Sequence, residues 1–365
     1  MLPFATLVRE DSRVQKQEQE NSDAPANTSL RIPPLGFGAA PIGNLYQSMS
    51  DANAAETINA ALANSIRYFD TAPHYGFGLS ESRLANAIAN RRSNLIISSK
   101  VGRLLVHTSS TEYIRHGFAN APALEPVFDY SYDAVMRSFE SSLRRLQTHY
   151  IDILLAHDLG PLTHGGQHEY HFRTFMDGGY RAMHELRAAG LVKAIGLGTN
   201  EWQVCEQALA HGDFDGFLLA GRYTLLEQSA CESFLPLCAK RGASVILGGP
   251  FNSGILASGV SGGGPFYYNY EPAPEKIIQR VARLEAACKE FNVSLAAAAL
   301  QFPGAHPQIC SVIAGLASPE QVLQAVQWMQ TPIPTGFWLS LREQGLLHPN
   351  APTPVSLFST ELLDD

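Results

Sequence analysis

Cysteine is scarce in this chain and basic charge is in deficit, and each shortage removes a class of protein. The five cysteines, Cys205, Cys231, Cys238, Cys288 and Cys310, are odd in number and show no CxxC pair or metal-ligand spacing. That excludes a disulfide scaffold and the usual zinc signatures. They read as buried, reduced thiols of an intracellular protein. Lys and Arg number 26 against 34 Asp and Glu, a net charge of -8, and the bases are dispersed. Nucleic-acid binding needs a basic patch to meet phosphates, so no such partner is expected. No apolar run reaches bilayer-spanning length, and the opening Met1-Leu-Pro-Phe-Ala-Thr-Leu-Val-Arg-Glu is too short and too soon charged for a secretory signal. The expectation is a cytoplasmic protein with no membrane partner.

What is present is enough apolar material for a large core, 45% of 365 residues. Residues 9–30 are polar and lack a hydrophobic face, so residues 1–32 read as a mobile N-terminal extension. From residue 33 to 365 the chain reads as one domain ending in a C-terminal helix and tail. Strand-like and helix-like segments alternate there. Strands are expected at 35–42, 65–70, 94–100, 151–157, 192–200, 214–220, 243–249 and 309–314. Helices are expected over 51–64, 80–91, 131–147, 179–189, 201–211, 231–241 and 274–301. Eight such units fit an α/β fold of the (β/α)8 TIM-barrel type. The excess length sits in three inserts, 103–130, 159–178 and 250–273, each after a strand and so on the C-terminal face. A doubly wound sheet would carry a glycine-rich loop after its first strand. The nearest match, Gly196-Leu-Gly198-Thr-Asn-Glu201, lies mid-chain and lacks the third glycine.

Asp70, Tyr75, Lys100 and His157 each stand at the C-terminal end of an apparent strand, where a barrel keeps its chemistry. The runs into three of them, Ser65-Ile-Arg-Tyr-Phe-Asp70, Asn94-Leu-Ile-Ile-Ser-Ser-Lys100 and Ile151-Asp-Ile-Leu-Leu-Ala-His157, are apolar and β-rich until a polar residue ends each one. A strand buried on both faces needs a reason for such an ending. Tyrosine with its ordinary pKa near 10 is a poor proton donor or acceptor at neutral pH. A neighbouring cation lowers that pKa. Lys100 is the candidate cation, Asp70 its anchor, and His157 the group that orients a carbonyl or carbinol. The site handles a proton without a metal.

With those residues in place, the segment Tyr68-Phe-Asp-Thr-Ala-Pro-His-Tyr-Gly76, with Ser80-Glu81, Lys100 and His157, resembles the aldo-keto reductase superfamily. The likeness runs through Gly196-Leu-Gly-Thr-Asn-Glu-Trp202 and Gly249-Pro-Phe-Asn-Ser-Gly-Ile-Leu256 to the eighth strand. Carried over, it implies a (β/α)8 barrel with Tyr75 as general acid-base, Lys100 and Asp70 tuning it, and His157 orienting the substrate. Gly179-Tyr-Arg-Ala182, Gly221-Arg-Tyr-Thr-Leu-Leu-Glu-Gln228 and Gly248-Gly-Pro-Phe-Asn-Ser-Gly254 resemble a narrower group, the D-threo-aldose 1-dehydrogenases or L-fucose dehydrogenases. The pyridoxal 4-dehydrogenases and L-galactose dehydrogenases share much of this pattern. The resemblance implies oxidation of a cyclic hemiacetal to a lactone, with hydride passing to a nicotinamide.

The same resemblance assigns a cofactor site. Thr199 and Asn200 match the pair that holds the carboxamide. Gly249, Pro250, Phe251, Asn252, Gly254 and Leu256 match the loop along the pyrophosphate, where backbone donors suit an anion. The nicotinamide-stacking aromatic of many reductases is matched by Gly248, and Tyr223 is the substitute candidate. After the eighth strand, where NADP-preferring relatives place cations, this chain offers Gly315, Leu316, Ala317 and Gln321. The expectation is NAD over NADP, because a 2'-phosphate without a charged partner binds poorly.

His164, His168 and His171 have spacings open to a metal, but a polar loop is the preferred reading, so no metal site is expected. Gly262-Gly-Gly264 follows no apparent strand and reads as loop flexibility. Trp202, Phe77 and Arg222 are pocket candidates. A small-molecule substrate and a monomer or homodimer complete the expectation. Two other readings stay open: an NADPH-dependent aldehyde or ketone reductase of secondary metabolism, and a non-catalytic cofactor-binding partner like the β-subunits of potassium channels.

Overall fold

In a computed structural model, residues 30–89 and 91–354 are described. Of the expected extension over residues 1–32, residues 1–29 lie outside the described residues, and its last residues do not stand apart. Leu30 and Ile32 pack against the cluster inside the barrel.

Eight strands close into a parallel barrel in which each pairs with the next in the chain and the last with the first. They are β1 Leu35–Gly38, β2 Tyr68–Asp70, β3 Ile96–Val101, β4 Ile151–His157, β5 Val192–Thr199, β6 Gly216–Ala220, β7 Ser244–Gly248 and β8 Ile309–Gly315. Helices return the chain between them. Ser50, Ser131 and Ser294 start three of these helices and Ser318 starts the one after β8, each side chain accepting from a backbone N–H three residues on. The main core lies between strands and helices.

A second cluster fills the barrel itself: Tyr68, Ile153, Leu155, Leu218, Ile246 and Ile313. Alternation along each strand then decides what stands above this floor. On β2, β3 and β4 the next inward residues are Asp70, Lys100 and His157. On β5, β6 and β7 they are Gly198, Ala220 and Gly248. Polar groups on one side and almost no side chain on the other leave a hollow at the barrel mouth. Gly198 is also needed by Lys100, since a β-carbon there would sit 3.3 Å from Lys100 Cε.

The three inserts do gather over this mouth, with more structure than the sequence suggested. Residues 103–128 form antiparallel pairs, Arg103–His107 with Leu124–Phe128 and Ile114–Arg115 with Phe118–Ala119. Within the second insert, a helix over His168–Thr174 continues through a π-turn at Phe175–Gly179 into Tyr180–Ala188. The third carries a short pair, Tyr267–Tyr268 with Glu271–Pro272. Beyond β8 the described residues form two helices, Pro319–Gln330 and Thr335–Glu343.

Strand ends are shorter than expected where a turn intervenes. β1 stops at Gly38 because residues 41–43 form a 3-10 turn. Tyr75 is the clearest correction: it lies in the turn after β2, five residues beyond Asp70, and not on a strand end.

Candidate active site

The site starts from a buried ion pair. Lys100 and Asp70 are each only 2% exposed, and Lys100 Nζ donates to Asp70 Oδ2 at 2.7 Å. Its other two protons go to the Thr71 carbonyl at 3.0 Å and the Tyr75 hydroxyl oxygen at 3.1 Å. Asp70 Oδ1 accepts from Ser98 Oγ at 2.6 Å, and Ser98 in turn meets the Tyr68 hydroxyl at 2.9 Å. Burying a charge pair is favourable only when its remaining donors and acceptors are met, and here they are. Because Lys100 donates to the phenol oxygen, the phenol's own proton is directed elsewhere. Tyr75, Lys100 and His157 all line one cavity of about 410 Å³.

Electrostatics in this cavity differ from the expectation at one point. Burial pushes the Tyr75 phenol above its ordinary value, Lys100 pulls it down, and Asp70 and Asp158 push it up, with a net rise. Burial works against the Lys100 ammonium, but Asp70 and Tyr75 outweigh it and hold that pKa above the usual lysine value. Burial, then Arg103 and Lys100, drive His157 well below the usual imidazole range. His74 is lowered to about 2, first by burial and then by Arg103. Both rings are therefore neutral at physiological pH.

Several cavity residues went unassigned in the sequence. Arg103, on the first insert, ion-pairs with Asp158 and donates from Nη1 to His74 Nε2 at 3.0 Å. His116, Phe118, Thr163, Tyr46 and Tyr270 complete the wall. Leu45 bridges to Phe118, which ties the loop after β1 to that insert. The sequence signals for Arg103 and Asp158 were slight: Asp158 directly follows His157, and Arg103 lies three residues past Lys100.

A second cavity of about 900 Å³ is lined by Gly249, Pro250, Phe251, Asn252, Gly254, Gly315 and Gln321 together with Trp328. Leu45, Tyr46 and Tyr270 line both cavities, so the two meet. Thr199 and Asn200 line the first, on the side toward β5. Leu256 is fully buried and lines neither. Tyr223 does not take a stacking position: it is fully buried, its ring packed at 5.5 Å on Phe302. Phe77 is buried, Trp202 bonds Ser229, and Arg222 donates to the Asn200 carbonyl at 2.6 Å, so all three support the wall without forming it. The His164 and His171 rings lie tilted against each other with centres 4.1 Å apart, and no group of three or more metal-ligating side chains gathers among the described residues.

The second cavity suits an extended ligand such as a dinucleotide. Gly249 and Gly254 take positive φ values of 58° and 94°, and a β-carbon at Gly254 would meet open space. Asn252 Oδ1 is buried without a partner there, an acceptor awaiting a donor.

Fold and site together define a parallel barrel whose mouth holds a tyrosine paired with a buried lysine beside an open cavity. The chain belongs to the aldo/keto reductase family, whose model matches residues 34–343. It is thus an oxidoreductase that uses a nicotinamide cofactor. It is 44% identical over 330 residues to a pyridoxal 4-dehydrogenase of Microbacterium luteolum, covering 88% of this chain and 96% of that one. It is 36% identical over 337 residues to a D-threo-aldose 1-dehydrogenase of a Pseudomonas species, covering 91% and 98%. Among solved structures, an aldo-keto reductase of Bacillus halodurans in its holo form superimposes with a TM-score of 0.66 at 26% identity, covering 87% of this chain and 93% of that one.

Proposed function

We propose that this protein is an NAD-dependent dehydrogenase that oxidises a sugar lactol or a similar cyclic hemiacetal to its lactone. The observation that carries the reading is the buried Asp70–Lys100–Tyr75 chain, which ends in a phenol open to the cavity. The names of the two relatives, an aldose 1-dehydrogenase and a pyridoxal 4-dehydrogenase, support it. When bound, the cofactor supplies the hydride acceptor and, oxidised, a positive ring near the site. Tyr75 as tyrosinate takes the anomeric hydroxyl proton, and the hydride leaves the same carbon. Lys100 stabilises the tyrosinate, and neutral His157 donates to the substrate oxygen and orients it.

Charge supports the details. Both cations lining the first cavity, Lys100 and Arg103, are already paired with buried carboxylates, which favours a neutral substrate. Among the described residues, no Lys, Arg, Asp or Glu lines the second cavity. A 2'-phosphate would find no counter-ion there, which favours NAD. Thr199 and Asn200 are assigned to the carboxamide and residues 249–254 to the pyrophosphate. A cytoplasmic monomer or homodimer remains part of this reading.

One observation favours a second reading. A phenol held above its ordinary pKa is protonated at neutral pH, the form that donates to a carbonyl oxygen, so an aldehyde or ketone reductase suits the same site. The test is nicotinamide absorbance with L-fucose, D-arabinose, L-galactose and pyridoxal, using NAD and NADP in parallel. Reduction of NAD by a member of this panel is the expected result. Oxidation of NADPH by carbonyl substrates, with no hemiacetal turned over, would replace the first reading by the second.

A further inference from the structure

The barrel mouth holds a carboxylate that the tetrad does not use. Asp158 follows His157 directly, and successive residues of a regular strand point to opposite faces. Asp158 breaks that alternation because its backbone is left-handed, with φ at 49°. Asp tolerates this conformation better than most residues, yet it persists only where the surroundings enforce it. Its N–H still reaches the Gly198 carbonyl at 2.9 Å, so pairing with β5 continues one residue past the strand. Buried Tyr130 donates to the carbonyl of His157 at 2.6 Å and lies 3.2 Å from that of Asp158. Two consecutive side chains therefore line one cavity.

The carboxylate meets a neighbour from each of three elements. Arg103 of the first insert pairs with Oδ2. Asn200, just past β5, donates from Nδ2 to Oδ1 at 3.3 Å. His157 of β4 brings Nε2 to 3.4 Å from Oδ2.

We propose that Asp158 is a positioning residue of the reaction: its carboxylate, near Nε2 but not hydrogen-bonded to it, biases the neutral His157 ring toward the Nε2–H tautomer and leaves that proton for the substrate oxygen, and it fixes Asn200 and the Arg103 insert to the same point. A neutral imidazole has one proton to place, and a carboxylate beside Nε2 draws it there. Nδ1 has no partner to compete for it. Asn200, with its amide N–H turned to Asp158, keeps its oxygen available as an acceptor for an amide of the cofactor. The substrate and cofactor walls are then set by one group. The catalytic part of this inference rests on the reading of Tyr75 as base, whereas the tautomer and the Asn200 contact do not.

Asp158→Asn accepts the same backbone and removes the charge. Labelled-histidine nitrogen NMR, with His157 assigned from a His157→Gln variant, should show Nε2–H in the native protein and a loss of that preference in Asp158→Asn. NADH affinity, read by fluorescence titration, should weaken several-fold as Asn200 loses its anchor. In turnover, the plateau of kcat/KM should fall on the order of 10²-fold, the scale of a misplaced reacting group. The charged groups around Tyr75 are Lys100, Asp70 and Asp158; Arg103 and His116 of the first insert share its cavity, paired with Asp158 and Glu125, Tyr68 and Tyr270 lie beside it, and His74 and His157 are neutral. Removing Asp158 should therefore move the rising limb of the oxidation profile to lower pH, and Arg103→Met should move it to higher pH. Asp158→Glu, which keeps the charge out of place, should lose the plateau without moving the limb, and it substitutes if the amide variant fails to fold. An unchanged tautomer with unchanged NADH affinity would overturn the proposal even if no hemiacetal were turned over. Absence of turnover in the native protein alone would count against the proposed function instead.

Discussion

Tyr75 is asked to give and take a proton from an environment that makes it a weaker acid than free tyrosine. Lys100 lies 3.1 Å away and offsets burial only in part, because its charge is shared with Asp70 at 2.7 Å. The sign of the pH dependence follows. Oxidation needs tyrosinate, whose fraction rises with pH toward a pKa above the ordinary value, so kcat/KM for oxidation should keep rising into the alkaline range. Carbonyl reduction, which needs the phenol, should fall over the same range. His74, lowered to about 2, and His157, also depressed, stay neutral throughout and should add no limb near neutrality. Initial rates across pH in both directions check this, and a decline in oxidation from neutral to alkaline pH in a still-folded protein would contradict it.

At the scale of elements, the site depends on where the barrel carries side chains and where it does not. Gly36 on β1 faces the floor cluster, and a β-carbon there would lie 2.5 Å from a Tyr68 ring carbon and 2.6 Å from an Ile313 methyl. Gly36→Ala should therefore destabilise the fold by about 1–3 kcal/mol, the usual cost of overpacking, as a lower denaturation midpoint with an unchanged slope. An unaffected midpoint would mean that the floor has room to spare. These strands were legible because a short apolar run closed by Asp70, Lys100 or His157 fits a buried barrel strand and little else. The antiparallel pairs of 103–128 were not, since strands of only two to five residues, some buried and some exposed, carry no clear alternation. Nor was the orientation of Asp158, because a left-handed residue after a strand leaves no periodic trace. Tyr223 misled for a related reason: an aromatic near β6 reads the same whether it stacks on a ligand or, as here, on Phe302.

For the molecule as a whole, the distribution of charge sets the ligands. A chain of net charge -8 has its two cavity cations neutralised in place, and among the described residues none that lines the second cavity is charged. We expect NADH to bind at least tenfold more tightly than NADPH, about 1.4 kcal/mol, and Gln321→Arg, at the cavity edge, to narrow the gap. Fluorescence titration of both cofactors measures it, and equal or reversed affinities would sink the NAD assignment. Reading the whole fold from sequence worked because the repeated βα pattern leaves few topologies. The cofactor's identity rests instead on missing cations, a local matter that the overall pattern does not determine.

The central claim is that Tyr75 is the proton-transferring group of an NAD-linked hemiacetal oxidation. The most direct test compares NAD reduction by the native protein and by Tyr75→Phe on the best lactol of the panel, with NADH affinity measured on both. The account predicts a loss in kcat of about 10²- to 10⁴-fold, the range for a general acid–base group, with NADH affinity nearly unchanged. Turnover retained by the phenylalanine variant would contradict it.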